Sequence, residues 1–153
     1  MIVETATLAK TALIETLEKL RDEVRSLAEP LSETAFWTKP IDPGNSFGHL
    51  VLHLTGNLNH FVGAQLGGSG YIRQREREFT EDNPPSKREA LHKLDEAVAT
   101  FRLVVSGLSD EQLAAPHPES RFGCTLKALT FLLTHFALHR GQMSYLVRLL
   151  PMK

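Results

Sequence analysis

The stretch Thr130-Phe-Leu-Leu-Thr-His135-Phe-Ala-Leu-His139-Arg-Gly-Gln-Met-Ser-Tyr145 carries two histidines four residues apart. On an α-helix this spacing places both imidazoles on one face, about 6 Å apart along the axis at roughly 1.5 Å of rise per residue. The same helical stripe holds four further residues, most of them apolar: Ala128, Leu132, Gln142 and Leu146. The two histidines therefore face the predicted core, where they need either separate hydrogen-bond partners or one shared metal ion.

Four segments with the periodicity of amphipathic helices cover most of the chain. In each of them apolar residues recur at steps of three and four, as on a helix that buries one side. Asn45 or Ser46 suits the N-cap of the second helix. Ser86 with Glu89 predicts a capping box before the third helix, and Thr125 suits the N-cap of the fourth. The predicted helices are residues 3–28, 46–66, 86–107 and 125–150.

Three long connections, each of roughly 16 to 19 residues, join these predicted helices. Connections of this length do not force consecutive helices to be antiparallel neighbours, so an arrangement with a crossover is allowed. Long loops of this kind also tend to carry function. We predict an all-α fold, a four-helix bundle that residues 1–153 form as a single domain.

The connections contain residues with two possible interpretations. Trp37 is expected to pack as a hydrophobic lid over the helix ends, with stacking on a substrate as the alternative. His117 lies between two prolines and is expected to be exposed. Arg73, Arg75 and Arg77 alternate with polar and acidic residues, which favours a solvated surface and allows a short extended segment. The functional alternative is a basic rim that holds an anionic part of a substrate.

Composition excludes several classes of protein. The chain has 153 residues, 42% of them hydrophobic and 23% charged, which is ordinary for a globular domain. Its net charge of -1 gives no electrostatic reason to bind nucleic acid. No apolar run approaches the roughly 18 residues of a membrane span, and the N-terminus does not resemble a signal peptide. The single cysteine, Cys124, fits a reducing compartment, so we expect a cytoplasmic protein.

The fourth predicted helix is apolar around nearly its whole circumference. Its face opposite the histidines carries small residues: Thr134, Ala137, Gly141 and Ser144. A helix of this kind is either central in the bundle or in contact with a second subunit. A homodimer is therefore the hypothesis for its assembly.

A metal site needs a third ligand, and the second predicted helix offers His49, His53 and His60. Helical geometry does not choose among them with certainty. His53 is preferred because it sits mid-helix at the edge of the apolar stripe, while the other two lie nearer the ends. Asn57, one turn later, points the same way and could orient a bound water or substrate.

Three histidine ligands leave one coordination position open, which is typical of catalytic zinc sites. Bound there, a water becomes hydroxide near neutral pH, and a thiol is held as thiolate. The residues between His135 and His139 are Phe-Ala-Leu, so the protease motif with its built-in glutamate is absent. The alternative without metal is that the histidines are core residues with ordinary hydrogen bonds.

Two stretches together resemble the DinB-like superfamily: Asn45-Ser-Phe-Gly-His-Leu-Val-Leu-His53-Leu-Thr-Gly-Asn57 and His135-Phe-Ala-Leu-His139-Arg-Gly-Gln142. The resemblance covers nearly the whole chain in element order. It implies a four-helix bundle of up-down-down-up topology. It also implies a metal site at His53, His135 and His139. Members bind zinc, nickel or other divalent ions, so zinc or nickel is the expected cofactor. Some are transferases of thiols such as bacillithiol, mycothiol or glutathione, and others are thiol-dependent isomerases.

The first functional hypothesis is a metal-dependent transferase that joins a low-molecular-weight thiol to an electrophilic small molecule. Asn57 and Gln142 would then orient ligands or substrate, and Arg73 or Arg75 would hold a carboxylate of the cosubstrate. A second hypothesis is a hydrolase that uses metal-bound hydroxide. The third is a non-catalytic bundle, stress-associated or structural, with or without metal.

Overall fold

The computed structural model describes residues 5–150. Its helical elements, in chain order, are α1 (Thr5–Ala28), α2 (Glu33–Trp37), α3 (Phe47–Leu58), a π-helical turn (Asn59–Ala64), α4 (Arg77–Thr80), α5 (Lys87–Gly107), α6 (Asp110–Ala114), a 3₁₀ turn (Ser120–Phe122) and α7 (Thr125–Leu149). The four predicted helices correspond to α1, to α3 with the π-helical turn, to α5 and to α7. Residues 3 and 4 of the first predicted helix lie outside the described part of the chain.

Helices α1 and α5 run antiparallel. Near the start of α1, Lys10 Nζ donates to the carbonyl oxygen of Leu108 at 2.8 Å, just beyond the end of α5. At the other end of the pair, Lys87 Nζ donates to the carbonyl oxygen of Leu31 at 2.6 Å. The first residue of α5 thus lies beside the connection that follows α1, which fixes the opposite directions of the two helices.

Helices α3 and α5 run parallel. In the segment that continues α3, Gly63 lies against Thr100 and Gly67 lies against Val104, so residue numbers rise in the same direction along both. Helices α3 and α7 are antiparallel. His53 in the middle of α3 contacts His135, whereas the π-helical turn that follows α3 contacts the 3₁₀ turn that precedes α7. Taken with the antiparallel α1 and α5, these contacts give the up-down-down-up order, and the predicted all-α four-helix bundle is confirmed.

The core lies between the four long helices, each of which packs against two others. One leucine from each is nearly or completely buried: Leu17, Leu50, Leu94 and Leu132. Burying such a side chain contributes roughly 1.5–3 kcal/mol relative to leaving it in water. Among residues 5–150, no helix has the length and apolar character that crossing a membrane requires.

The helix caps follow the sequence in part. The side chain of Ser46 accepts from the backbone N–H of His49, and that of Ser86 accepts from Glu89. The prediction at Thr125 is wrong by one residue: Cys124 is the N-cap of α7, and the Thr125 hydroxyl donates to the carbonyl oxygen of Ala115. That hydroxyl ties the start of α7 to the preceding connection.

The connections contain more structure than expected. Each holds a short helix, and α4 takes up residues 77–80 at the end of the arginine run. Trp37 packs on α3 at Gly48, where a Cβ would approach the indole ring to 2.4 Å, as the lid interpretation predicts. The exposed position expected for His117 is also wrong. Its side chain is buried because Nε2 donates to the Phe61 carbonyl oxygen at 3.1 Å and Nδ1 accepts from the Glu119 N–H at 3.0 Å.

Candidate metal centre

Three histidines converge where α3 crosses α7. His53 lies on α3, and His135 and His139 lie one turn apart on α7. One ring nitrogen from each can be chosen so that all three lie within 4.8 Å of one another. The Nε2 atoms of His53 and His135 are 2.9 Å apart. His53 is buried, and the other two are partly buried. This spacing suits three ligands around one ion.

A buried carboxylate orients the His53 ring. Glu78, at the second residue of α4, accepts from His53 Nδ1 through Oε2 at 2.8 Å. Arg73 binds the same carboxylate at two points, from Nε to Oε1 at 2.7 Å and from Nη2 to Oε2 at 2.8 Å. With the proton on Nδ1, the lone pair of His53 is on Nε2, toward the other histidines. Carboxylate–histidine pairs of this kind commonly fix the tautomer and orientation of a metal ligand.

Glu78 keeps its charge despite being buried. Burial alone raises the pKa of its carboxyl, but hydrogen bonds from His53 and Arg73 outweigh that effect and hold the pKa below its ordinary value. The carboxylate and the Arg73 guanidinium therefore form an ion pair at neutral pH. Arg73 itself has a side chain only 10% exposed, and both of its carboxylate contacts are to Glu78.

A glycine makes room for the carboxylate. Gly56 lies on α3 between His53 and the end of the helix, and a Cβ built there would approach Glu78 Oε1 to 2.1 Å. Any side chain at this position would displace the carboxylate from its place beside His53. The close packing of α4 on α3 thus requires a glycine at position 56.

His139 is oriented from within its own helix. Its Nδ1 donates to Gln142 Oε1 at 2.7 Å, which places the lone pair on Nε2. That Nε2 atom is buried and has no hydrogen-bond partner. An unpartnered buried nitrogen is unusual, because leaving one costs about 1–3 kcal/mol. A cation shared with the neighbouring histidines would satisfy it.

His135 is held in its neutral form. Burial, followed by the neighbouring His139 and His53, lowers its pKa to about 4. Burial also lowers the pKa of His139. Asn57 Nδ2 donates to His135 Nε2 at 3.1 Å, so the lone pair of His135 faces that of His53. Two lone pairs so close together repel unless a cation lies beside them, and neutral imidazoles are the form that binds metal. The residues present therefore fit a divalent metal ion.

The other predicted site residues have varied positions. Asn57 is buried beside His135, with its Oδ1 unpartnered, and Gln142 contacts His139. Arg75 is exposed, with its guanidinium carbon 5.6 Å from the centroid of the Phe79 ring. Phe79 in turn packs on His53, with ring centroids 4.7 Å apart.

Two further histidines of the second predicted helix stay outside the cluster. His49 contacts Ser46 Oγ and the Glu81 carbonyl oxygen, and it holds the connection around α4 against α3. His60 follows on the π-helical turn, and its Nδ1 is buried without a partner. In the described part of the chain, the only group of three or more His, Cys, Asp or Glu side chains positioned to share a metal is His53, His135 and His139.

Sequence reasoning missed Glu78. It lies in the run of alternating arginines and acidic residues that favoured a solvated surface. The signal available was Phe79, an apolar residue directly after the charged run, which indicates that this end of the connection returns to the protein. Glu78 is an acidic residue beside the histidines, through its contact with His53.

Comparison with known proteins agrees with this architecture. YfiT from Bacillus subtilis, described as "a probable metal-dependent hydrolase with an unusual four-helix bundle topology", superposes with a TM-score of 0.71 at 19% identity. The match covers 91% of this chain and 86% of that one, and at this identity it shows the shared fold. A search of curated proteins found no match. The sequence profile of the DinB superfamily matches residues 16–143. The chain therefore belongs to the DinB superfamily.

Proposed function

We propose that His53, His135 and His139 hold one divalent metal ion, and that the protein uses it to transfer a low-molecular-weight thiol to an electrophilic substrate. The observation that carries the proposal is the buried, unpartnered Nε2 of His139 beside His53 and His135. Burial also lowers the pKa of His135 and of His139, which favours the neutral form that binds metal. Three protein ligands leave a coordination position open for a substrate, as in catalytic rather than structural zinc sites.

When bound, such an ion lowers the pKa of a thiol or a water beside it, so that a nucleophile exists near neutral pH. In the proposed transfer the thiol sulfur forms a bond to an electrophilic carbon. The bond from that carbon to its leaving group breaks, and the thiol proton passes to solvent. Glu78 is paired with Arg73 and His53, so it is not free to act as a general base. A thiol suits this site because the thiolate forms before attack and needs no base during it.

Residues around the cluster orient its histidines and offer contacts to a substrate. Glu78 and Gln142 keep the Nε2 lone pairs of His53 and His139 directed into the cluster. Asn57, whose Oδ1 is buried without a partner, offers an acceptor for an N–H or O–H of a substrate. Arg73 binds Glu78, whereas Arg75, the other arginine predicted to hold a carboxylate, is exposed.

The test is a conjugation assay with protein loaded with zinc or nickel. Cysteine and glutathione are offered with 1-chloro-2,4-dinitrobenzene, and the release of chloride and the new thioether absorbance are followed. The wild type and His92→Ala, a change of an exposed histidine on α5, are expected to accelerate the reaction. His53→Ala is expected to lose that acceleration. Equal rates for His53→Ala and the wild type would overturn the proposal.

The second candidate is hydrolysis by metal-bound hydroxide. It is favoured by the description of YfiT, which has the same fold, as a probable metal-dependent hydrolase. The two candidates differ in their need for thiol. Turnover of p-nitrophenyl acetate or a nitroanilide at a rate that added thiol does not change, and that His53→Ala abolishes, would select hydrolysis over thiol transfer.

A homodimer through α7 is proposed for the assembly. The outer face of this helix exposes Leu138 (59%) and Tyr145 (62%) beside the small residues Ala137 and Gly141. Two such faces could approach closely and cover both side chains. Light scattering at micromolar concentration tests this: a mass near twice 17.1 kDa is expected, and it should fall to the monomer mass in Leu138→Glu. A monomeric wild type would contradict the proposal.

A further inference from the structure

Arg121 is an exposed cation close to the metal centre that sequence reasoning did not single out. It lies in the 3₁₀ turn before α7, with a side chain 60% exposed. Its guanidinium carbon is 4.7 Å from the ring centroid of Phe122 and 5.4 Å from that of Phe61. Stacking on two aromatic rings holds a guanidinium in place while leaving its N–H donors free for other partners.

An aromatic stack connects Arg121 with the histidines. Phe122 packs on Phe131 with ring centroids 5.0 Å apart, and Phe131 is stacked on His135 at 5.9 Å with the two planes 16° apart. This series of ring contacts puts the guanidinium on the His135 side of the cluster.

Among the arginines near the cluster, Arg121 differs from Arg73 in what it binds. The Arg73 guanidinium is engaged at two points by Glu78. Among residues 5–150, the acidic side chain within ion-pair distance of Arg121 is Glu119, whose Oε1 lies 3.6 Å from Nε, beyond a hydrogen bond. The planar fork of Arg121 therefore has donors to offer to a carboxylate, which it can bind at two points.

The charge balance of the centre also favours an anion. The three histidines are neutral ligands for a metal ion, and the charges of Glu78 and Arg73 cancel. A divalent ion would leave an excess of two positive charges, of which one thiolate neutralises one. A second anionic group on the same ligand is attracted both by the remaining charge and by Arg121.

We propose that Arg121 binds a carboxylate of the thiol cosubstrate, so that the centre prefers anionic low-molecular-weight thiols to neutral ones. This inference rests on the proposed thiol function. Arg121 would act by holding the far end of the thiol while the sulfur lies at the histidine cluster. Its role would therefore be in affinity and selectivity and not in bond formation.

The experiment measures thiol binding directly. Protein loaded with Co²⁺ is titrated with ω-sulfanyl carboxylates of two to six carbons and with the ω-sulfanyl alcohols of the same lengths. Binding is followed by the thiolate-to-cobalt charge-transfer absorption, so no turnover is needed. The series of lengths covers the possible reach from the cluster to Arg121, and the matched alcohols report the intrinsic affinity of the thiol.

The wild type is expected to bind at least one carboxylate about tenfold more tightly than its alcohol, the scale of one charge-assisted hydrogen bond. Arg121→Gln should remove that preference without changing affinity for the alcohol, and Arg121→Lys should keep part of it. The matched control is Arg88→Gln, an exposed arginine on α5, on the α1 side of the bundle and away from the cluster, which should behave as the wild type. Thermal unfolding and cobalt content of each variant show that it is folded and loaded.

Two results would overturn the inference in distinguishable ways. A preference for carboxylates that survives in Arg121→Gln, or no preference at any length in the wild type, would show that Arg121 does not select the cosubstrate. In both cases the charge-transfer band still appears, and the proposed function stands. If no thiol of either series produces the band, thiol binding itself fails, and the inference falls with it.

Discussion

Two histidines of the candidate metal centre are oriented in different ways. Gln142, three residues further along α7, holds His139 through a neutral hydrogen bond on an exposed part of the helix. Glu78 holds His53 from 25 residues away, through a charged and buried carboxylate that Arg73 also binds. The first support is local and replaceable by water. The second is part of the packing of α4 on α3, so the two should respond very differently to substitution.

Glu78→Ala is expected to have the largest effect. It removes the acceptor of His53 Nδ1 and leaves the Arg73 guanidinium without its carboxylate. Metal affinity should fall about 10- to 100-fold, the usual cost of losing such a support. The free energy of unfolding should fall by about 3 kcal/mol, since a largely buried cation is left unpaired. Isothermal titration with Zn²⁺ and urea unfolding measure the two effects.

The matched control for that experiment is Glu76→Ala, two residues earlier in the same charged run and exposed. It should leave both quantities unchanged. If Glu78→Ala binds metal as tightly as Glu76→Ala does, the buried carboxylate is not needed for metal binding.

Gly56→Ala should reproduce part of the Glu78 effect without touching a polar group. The added methyl would clash with Glu78 Oε1, so the carboxylate must move away from His53. We expect metal affinity to fall about tenfold, less than in Glu78→Ala because a displaced carboxylate still neutralises Arg73. Alanine is the better helix former by about 1 kcal/mol, so the variant could also be more stable than the wild type. A more stable variant with unchanged metal affinity would show that α4 can move without weakening the site.

Part of the stability that the metal-free protein loses at acid pH should be lost through His135 on α7. His135 has a pKa of about 4 when folded, below its ordinary value of 6.5. Between these values the unfolded chain binds a proton that the folded chain does not, so stability is lost as pH falls from 6.5 toward 4. Urea unfolding of His135→Gln should therefore show a pH slope smaller by up to about one proton than the wild type. Identical slopes would mean that His135 titrates normally.

Gln142→Ala is expected to have the smallest effect. Water can replace the side-chain oxygen at this exposed position, so His139 keeps an acceptor for Nδ1–H. We expect a loss of metal affinity of about threefold or less and no measurable change in stability. A loss as large as that of Glu78→Ala would show that the local hydrogen bond to Gln142 matters as much as the buried carboxylate.

Periodicity predicted much of this molecule because it reports which side of a helix is buried. It located four helices, put His135 and His139 on one inward stripe, and favoured His53 on the second helix. The topology came from the family resemblance, which the contacts between helices confirm. These features depend on spacing within single helices, and a sequence displays that spacing directly.

Features that depend on contact between distant segments were not predictable in this way. Glu78 looks like one more surface charge until Gly56 and Arg73 are placed around it. His117 looks exposed between its prolines until its ring reaches the Phe61 carbonyl oxygen. In both cases a polar residue is buried because one specific partner satisfies it, and local composition carries no record of that partner.

The most direct test of the central claim is elemental analysis of protein purified without a metal-affinity tag. Wild type, His139→Ala and His92→Ala are compared, the last removing an exposed histidine on α5. About one divalent ion per chain is expected in the wild type and in His92→Ala, and a large loss in His139→Ala. No ion in the wild type even after loading with zinc or nickel, or full content in His139→Ala, would contradict it.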